Sequence, residues 1–293
     1  MDLLQLRYFQ AVAHRGHLSQ AAASLHIAQP SLSRAIARLE ADLGVPLFDR
    51  EGRGLRLNHF GTTFLRRVDR ALRELEDARQ ELADATGLER GRIAVAAETL
   101  HTLGGVMSAF REVHPDVDLK LYQSPAETMA KQLCAGEVDL CFASQPLPAP
   151  GLTAHELVRE EVLLAVPRTH RLARRKRVRI ADLVGEPLVT TRPGYWPRAL
   201  SDRLFAEAGL EPTYVCESDE LGATGQLIIA GLGIGFMPEI ARRAATSNQA
   251  VGLTVDAPGC YRTLTLVRRE GTYLSAAAQR LAEFAVGYFA SPQ

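Results

Sequence analysis

The sequence predicts an all-α N-terminal segment with a small β wing, a long connecting helix, and a larger α/β segment. Three observations carry that expectation. Residues 18 to 40, LSQAAASLHIAQPSLSRAIARLE, read as two short amphipathic helices around a tight bend. Between residues 64 and 82 apolar residues recur at spacings of 4, 3, 4, 3 and 4. From Arg92 onward, short β-rich runs alternate with helical ones. A length of 293 residues suits two or three domains.

The chain opens on an apolar stripe, Leu3, Leu4, Leu6, Phe9, Ala11, Val12 and Ala13, expected to form a helix over the two that follow; His14, Arg15 and Gly16 break it. Ser19 stands where an N-cap is wanted. Pro30 falls in the first turn of the second short helix, where a missing N–H costs nothing. That helix buries Leu32, Ile36 and Leu39 and keeps a polar face. Gln29, Pro30, Ser31, Ser33 and Arg34 lie toward its N-terminal end and Arg38 one turn on, the placing of a helix that meets base edges and phosphates in a major groove. The same pattern fits an αα-hairpin inside an ordinary helical protein. Gly44 is the expected C-cap. DREGRGLRLN follows, two glycines between short extended pieces with Arg50, Arg53 and Arg56 along them. This reads as a wing whose arginines reach phosphates or a narrow minor groove, or as a solvated turn.

Asn58 can cap a helix running to about Ala85. Its stripe, Phe64, Val68, Ala71, Leu75, Ala78 and Leu82, has the coiled-coil period, and charged residues occupy the other faces. Such a seam suits a second copy of the chain or the helix's own domain. Residues 86–91, TGLERG, read as a hinge. Beyond it come the strands RIAVAA, VDLKLY, VDLCFA, EVLLAVP, PLVTT, TYVCE and IGFMP, two late strands near 252–255 and 262–267, and a last helix from about Leu274 to Phe289. Largely parallel sheets covered by helices are expected, with ligands outside the carboxyl ends of the strands.

Charge sharpens the division. Lys plus Arg and Asp plus Glu are 34 each, so the chain has no bulk attraction for nucleic acid or membrane. Residues 1–67 nevertheless carry nine Arg against five acids, net +4, and residues 68–90 four Arg against seven, net −3. Positive charge collects where phosphate contact would need it. Cysteines 134, 141, 216 and 260 have neither metal-ligand spacing nor the density of a disulfide scaffold. They read as reduced thiols in a cytoplasmic protein. No signal peptide is read at the N-terminus, and no apolar run reaches the roughly 18 residues of a membrane span.

The strand-to-helix turns supply the ligand candidates: Glu98, Thr99 and His101 after the first α/β strand, Ser124 and Ser144 after the next two, Thr190, Thr191, Arg192, Tyr195 and Trp196 in TTRPGYWPR, and Glu217 with Ser218. Each of these side chains also fits a helix cap or a surface group, and Trp196 fits packing of its lobe. Arg192 can grip a carboxylate or pair with Glu98. Three other patterns are set aside. AGLGIGFMP follows a helix and leads into a strand, the reverse of a dinucleotide turn; HELVR at 155–159 lacks a second histidine; no G-x-S-x-G or C-x-x-C occurs. Cys216 reads as an inert half-buried thiol or a redox sensor.

The helix-turn-helix, with LLQLRYFQAVAHRGHLSQAA before it and DLGVPLFDREGRGLRLNHFG after it, strongly resembles the N-terminal domain of LysR-type transcriptional regulators, and the resemblance continues through the chain. It implies a winged helix-turn-helix over 1–58, a linker and dimerisation helix with hinge over 59–90, and an effector-binding domain over 91–293. That domain would resemble a two-lobed periplasmic binding protein, lobe I being 91–160 with 269–293 and lobe II 161–268. Matching to the family puts Thr99, Ser124, Thr191 and Gly194 in the ligand-contacting turns. The resemblance implies a homodimer or homotetramer on a double-stranded operator, contact with RNA polymerase, a small-molecule effector of unknown identity, and no catalytic residues, metal or other cofactor. Two rival readings stand beside it: an α/β enzyme located by a DNA-binding domain, and a DNA-binding protein whose cleft is vestigial.

Overall fold

A computed structural model describes residues 1–51, 54–86, 91–244 and 249–290. The chain forms two compact units, Met1–Ala85 and Thr86–Gln293.

In the first unit α1 spans Leu3–Arg15, α2 Leu18–Ser24 and α3 Gln29–Leu43; β1 (Phe48–Glu51) and β2 (Gly54–Leu57) form an antiparallel hairpin, and α4 runs His59–Thr86. Asp2 and Gln5 close a capping box on α1, Gln5 N donating to Asp2 Oδ1 at 2.8 Å and Asp2 N to Gln5 Oε1 at 2.9 Å. Gly16 and Gly44 end α1 and α3 in the left-handed region, so the expected C-cap at Gly44 is present. The N-cap of α2 is His17, with Ser19 inside the helix and exposed, which corrects the expectation for Ser19: backbone groups start this short helix. Phe9, Val12, Ala22, Leu32, Ile36, Leu39 and Leu47 make the core. Leu3 and Leu4 are exposed, so the α1 stripe enters the core only from Leu6 onward.

Two residues of the expected dimer seam belong to this core instead. Val68 is buried, and the Phe64 ring lies 5.2 Å from Phe9, so both pack within their own domain; the exposed seam begins at Ala71. The turn into α4 is tightly determined. Asn58 Oδ1 accepts from Gly61 N at 2.9 Å, and its amide donates to Pro46 O at 2.9 Å. A Cβ on Gly61 would sit 2.0 Å from Leu47 O.

The second unit contains β3 (Arg92–Ala97), α5 (Gly104–Val113), β4 (Asp118–Gln123), α6 (Ala126–Ala135), β5 (Leu140–Ala143), β6 (Leu152–Pro167), β7 (Arg177–Val178), β8 (Pro187–Thr191), α7 (Trp196–Glu207), β9 (Thr213–Ser218), α8 (Leu221–Ile229), β10 (Gly235–Pro238), α9 (Glu239–Ala244), β11 (Ala250–Val255), β12 (Tyr261–Arg269) and α10 (Ala276–Ala290). One lobe has strand order β4-β3-β5-β12-β6, with β3 parallel to β4 and β5, and β12 antiparallel to β5 and β6. In the other, β10 and β11 flank the second half of β6 antiparallel, β7 lies beside β11, and β8 pairs parallel with β9 and bridges to Ile234. The sheets are therefore mixed rather than largely parallel, because β6 and β12 run against their neighbours. The lobe boundary expected at 268/269 moves to about 260: β12 pairs along the first lobe's sheet from Tyr261.

Each lobe has its own core, Ile93, Val95, Phe110, Phe142 and Leu281 in the first, Val162, Leu164, Leu188, Trp196, Phe205 and Phe236 in the second. Two glycines of AGLGIGFMP pack backbone on backbone, since a Cβ on Gly233 would lie 2.3 Å from Pro187 O and one on Gly235 2.5 Å from Val189 O. This agrees with setting that stretch aside as a nucleotide loop.

Candidate functional site

The helix-turn-helix presents one coherent exposed surface. His26, at φ 54°, makes the left-handed bend between α2 and α3. Leu32, Ile36 and Leu39 turn inward, which leaves Gln29, Pro30, Ser31, Arg34 and Arg38 exposed on α3 and Ser33 half-buried. Pro30 is the second helical residue, and Arg34 Nε donates to Pro30 O at 3.4 Å. The wing is anchored beside this helix: Glu40 Oε1 accepts from Leu47 N at 2.7 Å, and Leu55 N donates to Gly16 O at 2.8 Å. Arg56 is exposed, opposite Asp49 across the hairpin. Arg53 and the side chain of Arg50 lie outside the described residues, as does most of the expected hinge.

In the α/β unit the strand-end residues converge on Glu98, just past β3 and 2% exposed. Its Oε2 accepts from Ser144 N at 2.6 Å; its Oε1 accepts from Gln145 Nε2 at 2.6 Å and from Trp196 N at 3.2 Å. Ser144 and Gln145 follow β5 in the first lobe, while Trp196 opens α7 in the second. One carboxyl group thus bridges the lobes. Gln145 Nε2 also donates to Gly194 O at 2.9 Å, and Gln123 Nε2 to Asp219 O at 2.9 Å, two further ties between lobes. Burial pushes the Glu98 carboxyl up to about 7, against the lowering pull of its three N–H donors and of Arg262.

Thr99, Ser124, Thr191 and Trp196 are buried around this junction, Ser144 is half-buried and His101 is exposed. Gly194 approaches the first lobe closely, a Cβ there falling 3.6 Å from Pro125 Cβ. Arg192 does not meet Glu98. It forms a bidentate pair with Asp219 in its own lobe, which corrects the expected pairing and engages the fork that a ligand carboxylate would need. Glu217 is paired with Arg198.

Three residues absent from the sequence-based candidates complete the junction. Arg262, whose side chain is fully buried, pairs with Glu160 and donates to Thr102 Oγ1 at 3.3 Å; its guanidinium carbon lies 5.4 Å from the Trp196 ring centre. The other carboxylate oxygen of Glu160 accepts from Ile240 N at 2.7 Å. Gln145 is the third. Thr191 Oγ1, Trp196 Nε1 and Arg262 Nε are buried without a hydrogen-bond partner among the described residues, so polar capacity remains here. A separate groove of about 660 Å³ lies between β6, β12 and α10, lined by His155, Arg268 and Tyr273 among others. No group of three metal-ligating side chains occurs among the described residues.

Comparison with known proteins decides what this arrangement serves. Residues 3–62 match the model of bacterial regulatory helix-turn-helix proteins of the lysR family, and residues 86–290 match the LysR substrate binding domain. The chain belongs to the LysR family of transcriptional regulators. The transcriptional dual regulator GltC of Bacillus subtilis is 32% identical over 99% of this chain and 98% of its own length. YybE, an uncharacterized regulator of the same organism, is 32% identical over 99% of both. Among solved structures, CbnR matches all of both chains at 25% identity and a TM-score of 0.67, and full-length CbnR bound to its target DNA covers 97% of this chain and 99% of its own at 25% and 0.64. A full-length OxyR variant from Pseudomonas aeruginosa shares the fold, with a TM-score of 0.73 at 24% identity over 97% of this chain and 94% of that one. This LysR-type regulator is thus a DNA-binding transcriptional regulator with an effector-binding domain. No helix among its described residues is long and apolar enough to cross a membrane.

Proposed function

We propose that α3 reads the operator through Gln29, Ser31, Ser33, Arg34 and Arg38, with Pro30 and Ser19 near the backbone and Arg50, Arg53 and Arg56 of the wing on phosphates. The observation that carries this is the exposed face of α3: two arginines one turn apart over an apolar face that is fully used by the domain core. Ala71, Leu75, Ala78 and Leu82 pair two chains along α4, supported by the exposure of this apolar row on a charged helix. The working assembly is a homodimer or a tetramer of two such pairs, in the cytoplasm, and it contacts RNA polymerase once on DNA.

The lobe junction binds a small-molecule effector. Thr99, Ser124, Ser144, Thr191, Gly194 and Trp196 form the contact set, with His101, Arg192 and Glu217 at its edge. The ligand regulates by binding one lobe arrangement better than another. The protein uses no cofactor and catalyses no reaction. Footprinting of the protein on its own upstream intergenic region, with and without a metabolite pool, tests the whole reading. An interrupted palindrome whose protected extent shifts with one metabolite is expected. Protection that no metabolite alters would overturn the effector role, and absence of sequence-specific protection would overturn the operator role.

A further inference from the structure

Glu98 does something at the lobe junction that the effector reading alone does not require. The N-terminus of α7, a helix of twelve residues, offers the Trp196 amide; the turn after β5 offers the Ser144 amide and the Gln145 side chain. Three N–H groups from two lobes converging on one spot make a receptor for a carboxylate. The carboxylate they hold is the chain's own. Around it, Arg262 Nε and Trp196 Nε1 are buried donors with capacity left over, so the surroundings are poor in acceptors and rich in donors. The exposed fork of Arg192 is engaged by Asp219.

We infer that Glu98 is a built-in ligand of the effector cleft: its carboxyl group fills the subsite between the Ser144 and Trp196 amides and ties the lobes together, so that the effector presents a neutral, hydrogen-bond-accepting end there rather than a carboxylate. A second carboxylate at this place would have to displace Glu98 from the three N–H donors it already occupies, leaving one of the two acids buried without them. The inference rests on the reading of this junction as the effector site.

Truncation to alanine removes the CH₂–COO⁻ end of Glu98, the equivalent of one acetate, and the full-length Glu98→Ala protein is therefore the receptor to test with acetate at pH 8, where the buried carboxyl, raised to about 7, is ionised in the wild type. Trp196 is the single tryptophan of the chain, and it reports on the junction by its emission and by the exchange of its amide. In Glu98→Ala the amides of Ser144 and Trp196 are expected to exchange about tenfold faster, about the weight of one lost hydrogen bond. The Trp196 emission shifts with them. Acetate reverses both changes saturably, acetamide and chloride do not, and the wild type responds to none.

A folded Glu98→Ala protein with wild-type exchange, or one that acetate leaves unchanged, would overturn the inference, and so would a wild type that responds to acetate as the variant does. If the alanine variant does not fold, Glu98→Gln supplies the test. Its carbonyl keeps either the Gln145 and Trp196 donors or the Ser144 amide alone while its NH₂ opposes the rest, so either the Ser144 or the Trp196 amide is expected to lose protection, and wild-type exchange at both overturns the inference. No DNA or metabolite enters these measurements, so their failure leaves the effector reading standing, whereas failure of the metabolite footprint leaves the Glu98 tie intact.

Discussion

Stability of the effector domain is expected to fall as pH rises from about 4.5 to about 7, because of Glu98. Its carboxyl, with an ordinary value of 4.5, is pushed up to about 7 by burial. A raised acid binds its proton more tightly folded than unfolded. Its contribution is complete below about pH 4.5, declines as the unfolded form ionises, and levels off above about pH 7. At 1.36 kcal/mol per pH unit over that window, about 3 kcal/mol is at stake. Glu98→Gln removes the titration and keeps the volume. Urea unfolding of wild type and variant at pH 5 and pH 8 isolates the effect, because every other group is common to both proteins. A drop of about 2–3 kcal/mol in the wild type relative to the variant is expected between the two pH values. Equal pH slopes in the two proteins would refute the reasoning, since the carboxyl would then be solvated in the folded state.

Three further outcomes follow from other parts of the chain. Arg34→Ala is expected to cost about 1–3 kcal/mol on the operator alone if the side chain reads a base, and to weaken operator and scrambled DNA alike if it holds a phosphate; titrating both by fluorescence anisotropy separates the cases. Gly61→Ala places a Cβ 2.0 Å from a backbone oxygen that cannot move aside, so the DNA-binding domain should lose about 3 kcal/mol or more, measured by chemical denaturation. Leu75→Arg removes from a paired α4 an apolar residue exposed in the single chain. At about 1.5 kcal/mol per copy the dimer dissociation constant rises about a hundredfold, which sedimentation reads directly.

Periodic segments were legible in the sequence where one face of an element is buried. Ala126–Ala135 shows its buried Met129, Ala130 and Leu133 at helical spacing, and Pro187–Thr191 is a continuous apolar run ending in threonines. The first half of β6 was not legible. Residues 153–156 are exposed on the edge of their sheet, so LTAHELVRE carries neither alternation nor an apolar run. The bend, the wing and the polar face of α3 were readable because they are local. The partners of Glu98 were not, because Ser144, Gln145 and Trp196 lie 46 to 98 residues away. Arg262 did leave a trace: with Leu264 and Leu266 it occupies the inward positions of an alternating strand, where a cation requires a buried partner.

β6 also fixes what kind of movement the effector domain can make. Sixteen residues at about 3.3 Å each form a beam of about 50 Å, gripped by β12 along its first half and by β10 and β11 along its second. The chain returns beside it, where Val162 N donates to Cys260 O at 3.2 Å and Glu160 holds Arg262. Two hydrogen-bonded strands resist shear along their length and stretch hardly at all, which leaves bending near residues 160–162 as the soft coordinate. A molecule wedged between the lobes would therefore work against this flexure and against the side-chain ties that Glu98, Gln145 and Gln123 make across the junction. Ligands of different shape would differ in how far they set that angle.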